Sequence, residues 1–138
     1  MVRGRYADKT ILYATSAGTL DVSQDNGTTF TNYPTAPVAY PNGYFALDTN
    51  AAGDKILLGT QFAGMKKSID GGATWSATST LAAVQAVENL GTDTDWLFSF
   101  IGQICYTPDF GATFIYRTGN LQTWGGAFFA IKMIRWYQ

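Results

Sequence analysis

Ser68-Ile-Asp70-Gly-Gly72-Ala-Thr74-Trp75 is one of three copies of a single pattern. Ser23-Gln-Asp25-Asn-Gly27-Thr-Thr29-Phe30 precedes it and Thr107-Pro-Asp109-Phe-Gly111-Ala-Thr113-Phe114 follows it. The common form is Ser/Thr-x-Asp-x-Gly-x-Thr-Phe/Trp, and the aspartates stand 45 and 39 residues apart. A period of that size marks stacked repeat units, each too small to bury its own apolar face. The residue types specify a tight hairpin. The aspartate can accept hydrogen bonds from backbone N–H groups two or three residues ahead, and the Ser or Thr hydroxyl can pair with it. Gly27, Gly72 and Gly111 supply the positive φ that a β-carbon resists. Thr29, Thr74 and Thr113 re-enter a strand, and Phe30, Trp75 and Phe114 are expected to plug the space between units.

Working outward, each copy follows an apolar run at a similar offset: Ile11–Thr15, Ile56–Thr60 and Trp96–Phe100. A glycine turn separates run from copy (Gly18, Gly64, Gly102), and an acidic turn precedes the run (Asp8-Lys9, Asp54-Lys55, Asp93-Thr-Asp95). A further apolar run comes before that turn in two units, at Tyr44–Leu47 and at Ala86 to Leu90. Each unit therefore reads as four strands joined by three turns, an antiparallel meander. The expected units are about 1–40, 41–84 and 85–125 of a single domain, with 126–138 as a C-terminal strand or docking tail.

At these residues the chain resembles the Asp-box, or bacterial neuraminidase repeat, found in sialidases, sortilin-type receptors, photosystem assembly propellers and several lectins. The resemblance implies an all-β fold of three four-stranded antiparallel β-propeller blades with Asp-box hairpins. It names a fold unit and leaves function open. Closed propellers have about 4–8 blades, so three blades imply completion, either by a second copy in a six-bladed dimer or by another partner. The run Ala127–Ile134 takes the place of a first strand in the repeat register, and a short amphipathic helix fits it as well.

Composition narrows the function classes. Of 138 residues, 46% are apolar, 15% aromatic and only 14% charged, well below the roughly 25% charged of ordinary soluble domains. Such a surface suits a covering partner. The net charge is −1 and the basic residues do not cluster beyond Lys66-Lys67, which argues against nucleic acid. There is no histidine and the one cysteine is Cys105, so no intrachain disulfide forms and neither a metal nor another cofactor is expected. Met1 suggests the start of a complete reading frame. Neither a signal peptide after Met1-Val-Arg-Gly-Arg5 nor a bilayer-spanning apolar run is visible, which leaves localisation open, with a virion or the cell exterior as options.

Sialidase chemistry, as the resemblance implies it, needs an arginine triad, a Tyr–Glu pair and an acid/base Asp. The chain offers Arg3, Arg5, Arg117 and Arg135, a single glutamate, Glu88, and, outside the repeats, Asp8, Asp21, Asp48, Asp54, Asp93 and Asp95. Several of these lie in turns, where a carboxylate ordinarily caps backbone. No catalytic residues are assigned. The expected function is a non-catalytic binding or assembly module, foremost lectin-like recognition of surface glycans by a homo-oligomeric propeller. The alternatives are a bacteriophage virion component (capsid decoration, tail or fibre) and a sialidase-like hydrolase fragment. Tyr40, Asn42, Tyr44, Trp96, Trp124 and Trp136 are the candidate ligand residues, since sugars bind aromatic faces bordered by polar groups. For each aromatic the competing role is core packing.

Overall fold

In a computed structural model of the chain, the described residues are 2–6, 10–14, 20–23, 25, 27–33, 45–100 and 103–117. They form twelve strands and, among themselves, no helix. The first sheet holds β1 (Val2–Tyr6), β2 (Thr10–Ala14), β3 (Leu20–Ser23) and β4 (Thr31–Tyr33). The second holds β5 (Phe45–Thr49), β6 (Ile56–Thr60), β7 (Met65–Ser68) and β8 (Ser76–Ser79). The third holds β9 (Val84–Asn89), β10 (Trp96–Phe100), β11 (Gln103–Thr107) and β12 (Ile115–Arg117). Every sheet is an antiparallel meander, and successive sheets meet through their first strands, β1 on β5 and β5 on β9.

Composition follows position within a sheet. All five residues of β6 are buried, as expected of a strand covered on both faces, and Ile56-Leu57-Leu58 is accordingly a continuous apolar run. The outermost strand β8, Ser-Ala-Thr-Ser, lies exposed or half-buried. Short polar edge strands of this kind discourage edge-to-edge pairing.

The core fills the space between the second and third sheets. Leu57 and Met65 meet Val84, Val87, Trp96, Phe98 and Cys105. Phe98 takes an edge-on contact from Phe114, with ring centroids 5.5 Å apart. Burial pushes the Cys105 thiol up to about 11, so it behaves as a core side chain. Gly59 is required by close approach: a β-carbon there would lie 2.2 Å from Val84 Cγ1.

Val2–Tyr6, the first strand that the four-strand repeat requires of unit 1–40, pairs with β2 along its whole length, although its two arginines and a glycine carry no strand signal of their own. Two expectations need correction. The sheet-filling ring of the third repeat is Phe110, 7% exposed and 5.5 Å from Trp96. Phe30, by contrast, is 51% exposed, and Trp75 is half-buried over its own turn, donating from Nε1 to Gly72 O. The run 126–138 lies outside the described residues.

Candidate functional site

The three aspartate turns share one hydrogen-bond plan. In the second, Ser68 Oγ donates to Asp70 Oδ1 at 2.7 Å and accepts from Gly72 N at 2.8 Å. Asp70 Oδ1 in turn accepts from Thr74 N at 2.9 Å, and Oδ2 from the Thr74 hydroxyl. Ser23, Asp25, Gly27 and Thr29 repeat these contacts, as do Thr107, Asp109, Gly111 and Thr113. The carboxylate thus reaches four residues ahead in every copy, further than the two or three of a simple Asx-turn, and Asp109 also takes the N–H three ahead, from Ala112 at 3.0 Å. Gly27, Gly72 and Gly111 have φ of 88°, 99° and 82°.

These bonds favour the ionised acid. The Thr29 hydroxyl, then the Thr29 N–H and Ser23, hold Asp25 down at about 2. Thr74 and Ser68 do the same to Asp70, also about 2. Asp109 is lowered chiefly by the Thr113 N–H. A carboxyl whose pKa falls on folding stabilises the fold above its unfolded pKa, and that contribution is lost as pH drops through the folded value. The expected result is a thermal midpoint that is flat from neutrality to about pH 5 and then declines between roughly pH 4 and 2. Calorimetry across that range checks it, and a midpoint unchanged down to pH 2 would contradict the turn geometry.

A second polar system ties sheet to sheet. Asn50, 1% exposed, donates from Nδ2 to Asp54 Oδ1 and to Asp93 Oδ1, both at 2.8 Å, and accepts from Gly53 N and Lys55 N. Lys55 Nζ stands 3.2 Å from Asp93 Oδ2; Asn50 first and Lys55 second lower the Asp93 pKa. Asp48 Oδ2 accepts from Asn89 N at 2.7 Å. Phe110 completes the tie: Lys67 Nζ lies 5.4 Å from its ring centroid and donates to its carbonyl. Thr78 donates to Gly111 O at 2.9 Å. Asp21 accepts from Asn32, and Asp95 from Tyr106 and Thr92. Every described aspartate is therefore committed to a turn or to a contact within or between sheets. Among the described residues, no cluster of His, Cys, Asp or Glu fits a metal, and no helix is long and apolar enough to cross a membrane.

Among the described residues, a recess lies at the far end of β6 and β7. A shallow groove of about 620 Å³ is lined by Phe62, Ala63, Gly64, Lys66 and Ala77 to Thr80. Phe62 is 66% exposed. Gly64, with φ of 75°, lets the hairpin pass close over Ser79 O, and Thr60 Oγ1 fixes the loop by accepting from Ala63 N and donating to Gly64 O. Among the described residues, Lys66 has no ion-pair partner and no carboxylate lines the groove.

Of the ligand residues expected from sequence, Tyr40, Asn42, Tyr44, Trp124 and Trp136 lie outside the described residues. Trp96 has no exposed surface. It packs on Phe110 in the core and so leaves the ligand set, for the packing reason that competes at any large aromatic. Sequence reasoning did not single out Phe62 or Lys66 as groove-lining residues. The signal was present in an apolar ring at a glycine hairpin, where a core role is least expected.

No protein-family model matches the sequence, and no curated protein matches it. Solved structures do. YCF48 bound to a D1 peptide superposes with a TM-score of 0.71 at 15% identity, over 84% of this chain and 39% of that one. A GH74 enzyme from Niastella koreensis gives 0.60 at 20% identity, over 83% and 22%. A GH74 xyloglucanase from Xanthomonas campestris gives 0.61 at 18%, over 86% and 23%. This chain thus spans well under half of each. At these identities the likeness is one of fold, and it identifies the three described sheets as blades of a β-propeller.

Proposed function

We propose that the chain is a non-catalytic recognition module of the Asp-box type, and that the groove beside Phe62 takes surface glycans. The observation that carries this reading is the groove's composition: an exposed aromatic face, a lysine without an ion pair among the described residues, and the hydroxyl-bearing residues Ser79 and Thr80. A pyranose lays its C–H face on an aromatic ring, while ammonium and hydroxyl groups meet its oxygens. The commitment of the described aspartates to turns and sheet contacts supports a non-catalytic role over a sialidase-like one. Phe62→Ala should weaken binding to any glycan retained on an array at least tenfold and leave the thermal midpoint within about 2 °C, since an exposed ring carries little stability. Retention of glycan binding in the variant, or no binding by the parent, would sink the reading.

Exposed Ile69 at 67%, and Ile115 and Tyr116 on the outer strand β12 at 40% and 46%, favour a second reading as a component of a larger assembly, such as a phage particle. In the assembly reading another partner completes the ring, whereas the glycan-binding reading includes ring completion by a second copy of the chain. Light scattering should then give twice the 15.0 kDa chain mass at micromolar concentration; a monomer throughout would exclude completion by self-association.

A further inference from the structure

Lys55, Lys66 and Lys67 stand in or beside the second sheet, and two of them are committed to the joint with the third. Lys55 Nζ meets Asp93 Oδ2 at 3.2 Å. Lys67 Nζ donates to the Phe110 carbonyl and lies 5.4 Å from that ring's centroid. Lys66 cannot join them, because successive residues of a strand point to opposite faces. Lys67 pairs with Leu57, on the side that packs against the third sheet. Lys66 pairs with Leu58 and Ala77, half-buried on the other side.

The neighbouring strand leaves that lysine alone. Pairing of β7 with β8 slips between Met65 and Lys66, so that Met65 faces Ser79, Lys66 faces Ala77, and Thr78 is the extra residue. A bulge of this kind re-aims side chains. The Thr78 hydroxyl is turned to Gly111 O in the third sheet, and the residue opposite Lys66 is an alanine, whose side chain offers an ammonium nothing.

Phe62 lines the same groove on a hairpin that is tied down. Buried Thr60 accepts from Ala63 N at 2.8 Å and donates to Gly64 O at 2.9 Å. Gln61 O accepts from Ala83 N at 2.8 Å. Gly64 passes so close over Ser79 O that a β-carbon would stand 2.2 Å from it. A ring displayed in this way loses little freedom when a ligand arrives.

A fixed aromatic face and an ammonium, with no carboxylate among the described lining residues, make the groove attractive to anions. We propose that it selects acidic saccharides: the carboxylate of a uronate or the sulfate of a sulfated sugar meets Lys66, while the adjoining sugar face rests on Phe62. The proposal rests on the glycan-binding reading of this groove and adds the charge of the ligand.

A glycan array that carries each uronate oligosaccharide beside its carboxyl-reduced form, and each sulfated one beside its desulfated form, tests it. In at least one of the two sets the parent should bind the acidic member about tenfold more tightly, the worth of a charge-assisted hydrogen bond. The set in which this preference appears identifies the anion as carboxylate or sulfate. Lys66→Gln should abolish the preference and leave binding of the neutral members within about twofold, whereas Lys66→Arg should retain it. Phe62→Ala should weaken both members of a pair alike. Equal binding of acidic and neutral members by the parent overturns the proposal and leaves the glycan reading standing, as does a preference that survives Lys66→Gln. A parent that binds no glycan overturns both. Salt provides a check on the unaltered chain, free of any folding defect in a variant. The preference should shrink as salt rises from about 50 to 500 mM, and a preference indifferent to salt overturns the proposal.

Discussion

Phe98→Ala is expected to cost about 3–5 kcal/mol, the range for removing a fully buried phenylalanine. Phe98 has no exposed surface, sits among Leu57, Met65 and Val87, and receives the edge of Phe114. Truncation removes both the burial of the ring and the aromatic pair, and the cavity opens between two rigid sheets that cannot easily close on it. Set against the 5–15 kcal/mol typical of a domain, the loss corresponds to a fall in Tm of roughly 10–20 °C. Denaturant unfolding of parent and variant measures it. A change below about 1 kcal/mol would mean that the second and third sheets do not share a packed core.

Gly59→Ala tests the same interface from the backbone side. An added methyl would stand 2.2 Å from Val84 Cγ1 and 2.5 Å from Val84 Cβ, so β6 and β9 must part or Val84 must shift. Overpacking of this kind costs about 1–3 kcal/mol and sometimes more. The collision is with one side chain, and that makes the effect separable. Val84→Ala alone leaves a cavity, whereas the double variant places the new methyl where the valine was. The double variant should be more stable than the sum of the single losses by about 0.5–3 kcal/mol. Strict additivity would show that the two positions do not touch.

Parts of this architecture were legible because local chemistry and global pattern agreed. The three aspartate turns place an aspartate, a glycine and a threonine at fixed steps, and the same donors meet the same acceptors in each. The second strands stood out because they are covered on both faces, and Ile56-Leu57-Leu58 says so directly. Val2–Tyr6 was legible only through the repeat, since its place in the sheet is set by pairing with β2 rather than by its own side chains. Phe110 was missed for another reason. It occupies a variable step of the repeat, with Asn26 and Gly71 as counterparts, and its backbone takes a φ of 52° that sequence does not announce. The groove required knowing that Phe62 faces outward while Trp96 faces inward, a distinction that hydrophobicity alone does not draw.

The contact between the second and third sheets is made by unlike surfaces. The third contributes its aspartate turn and Phe110, while the second contributes Lys55, Lys67 and Thr78. A head-to-tail join of this sort has no internal stopping rule: repeated with a fixed rotation it returns on itself as a ring, and with any other rotation it runs on as a filament. How many blades a closed propeller holds is therefore written in the angle between neighbouring sheets and in no single residue. A substitution at Phe110 or Gly59 that shifts this angle would change the number of blades that close a ring while leaving each sheet folded.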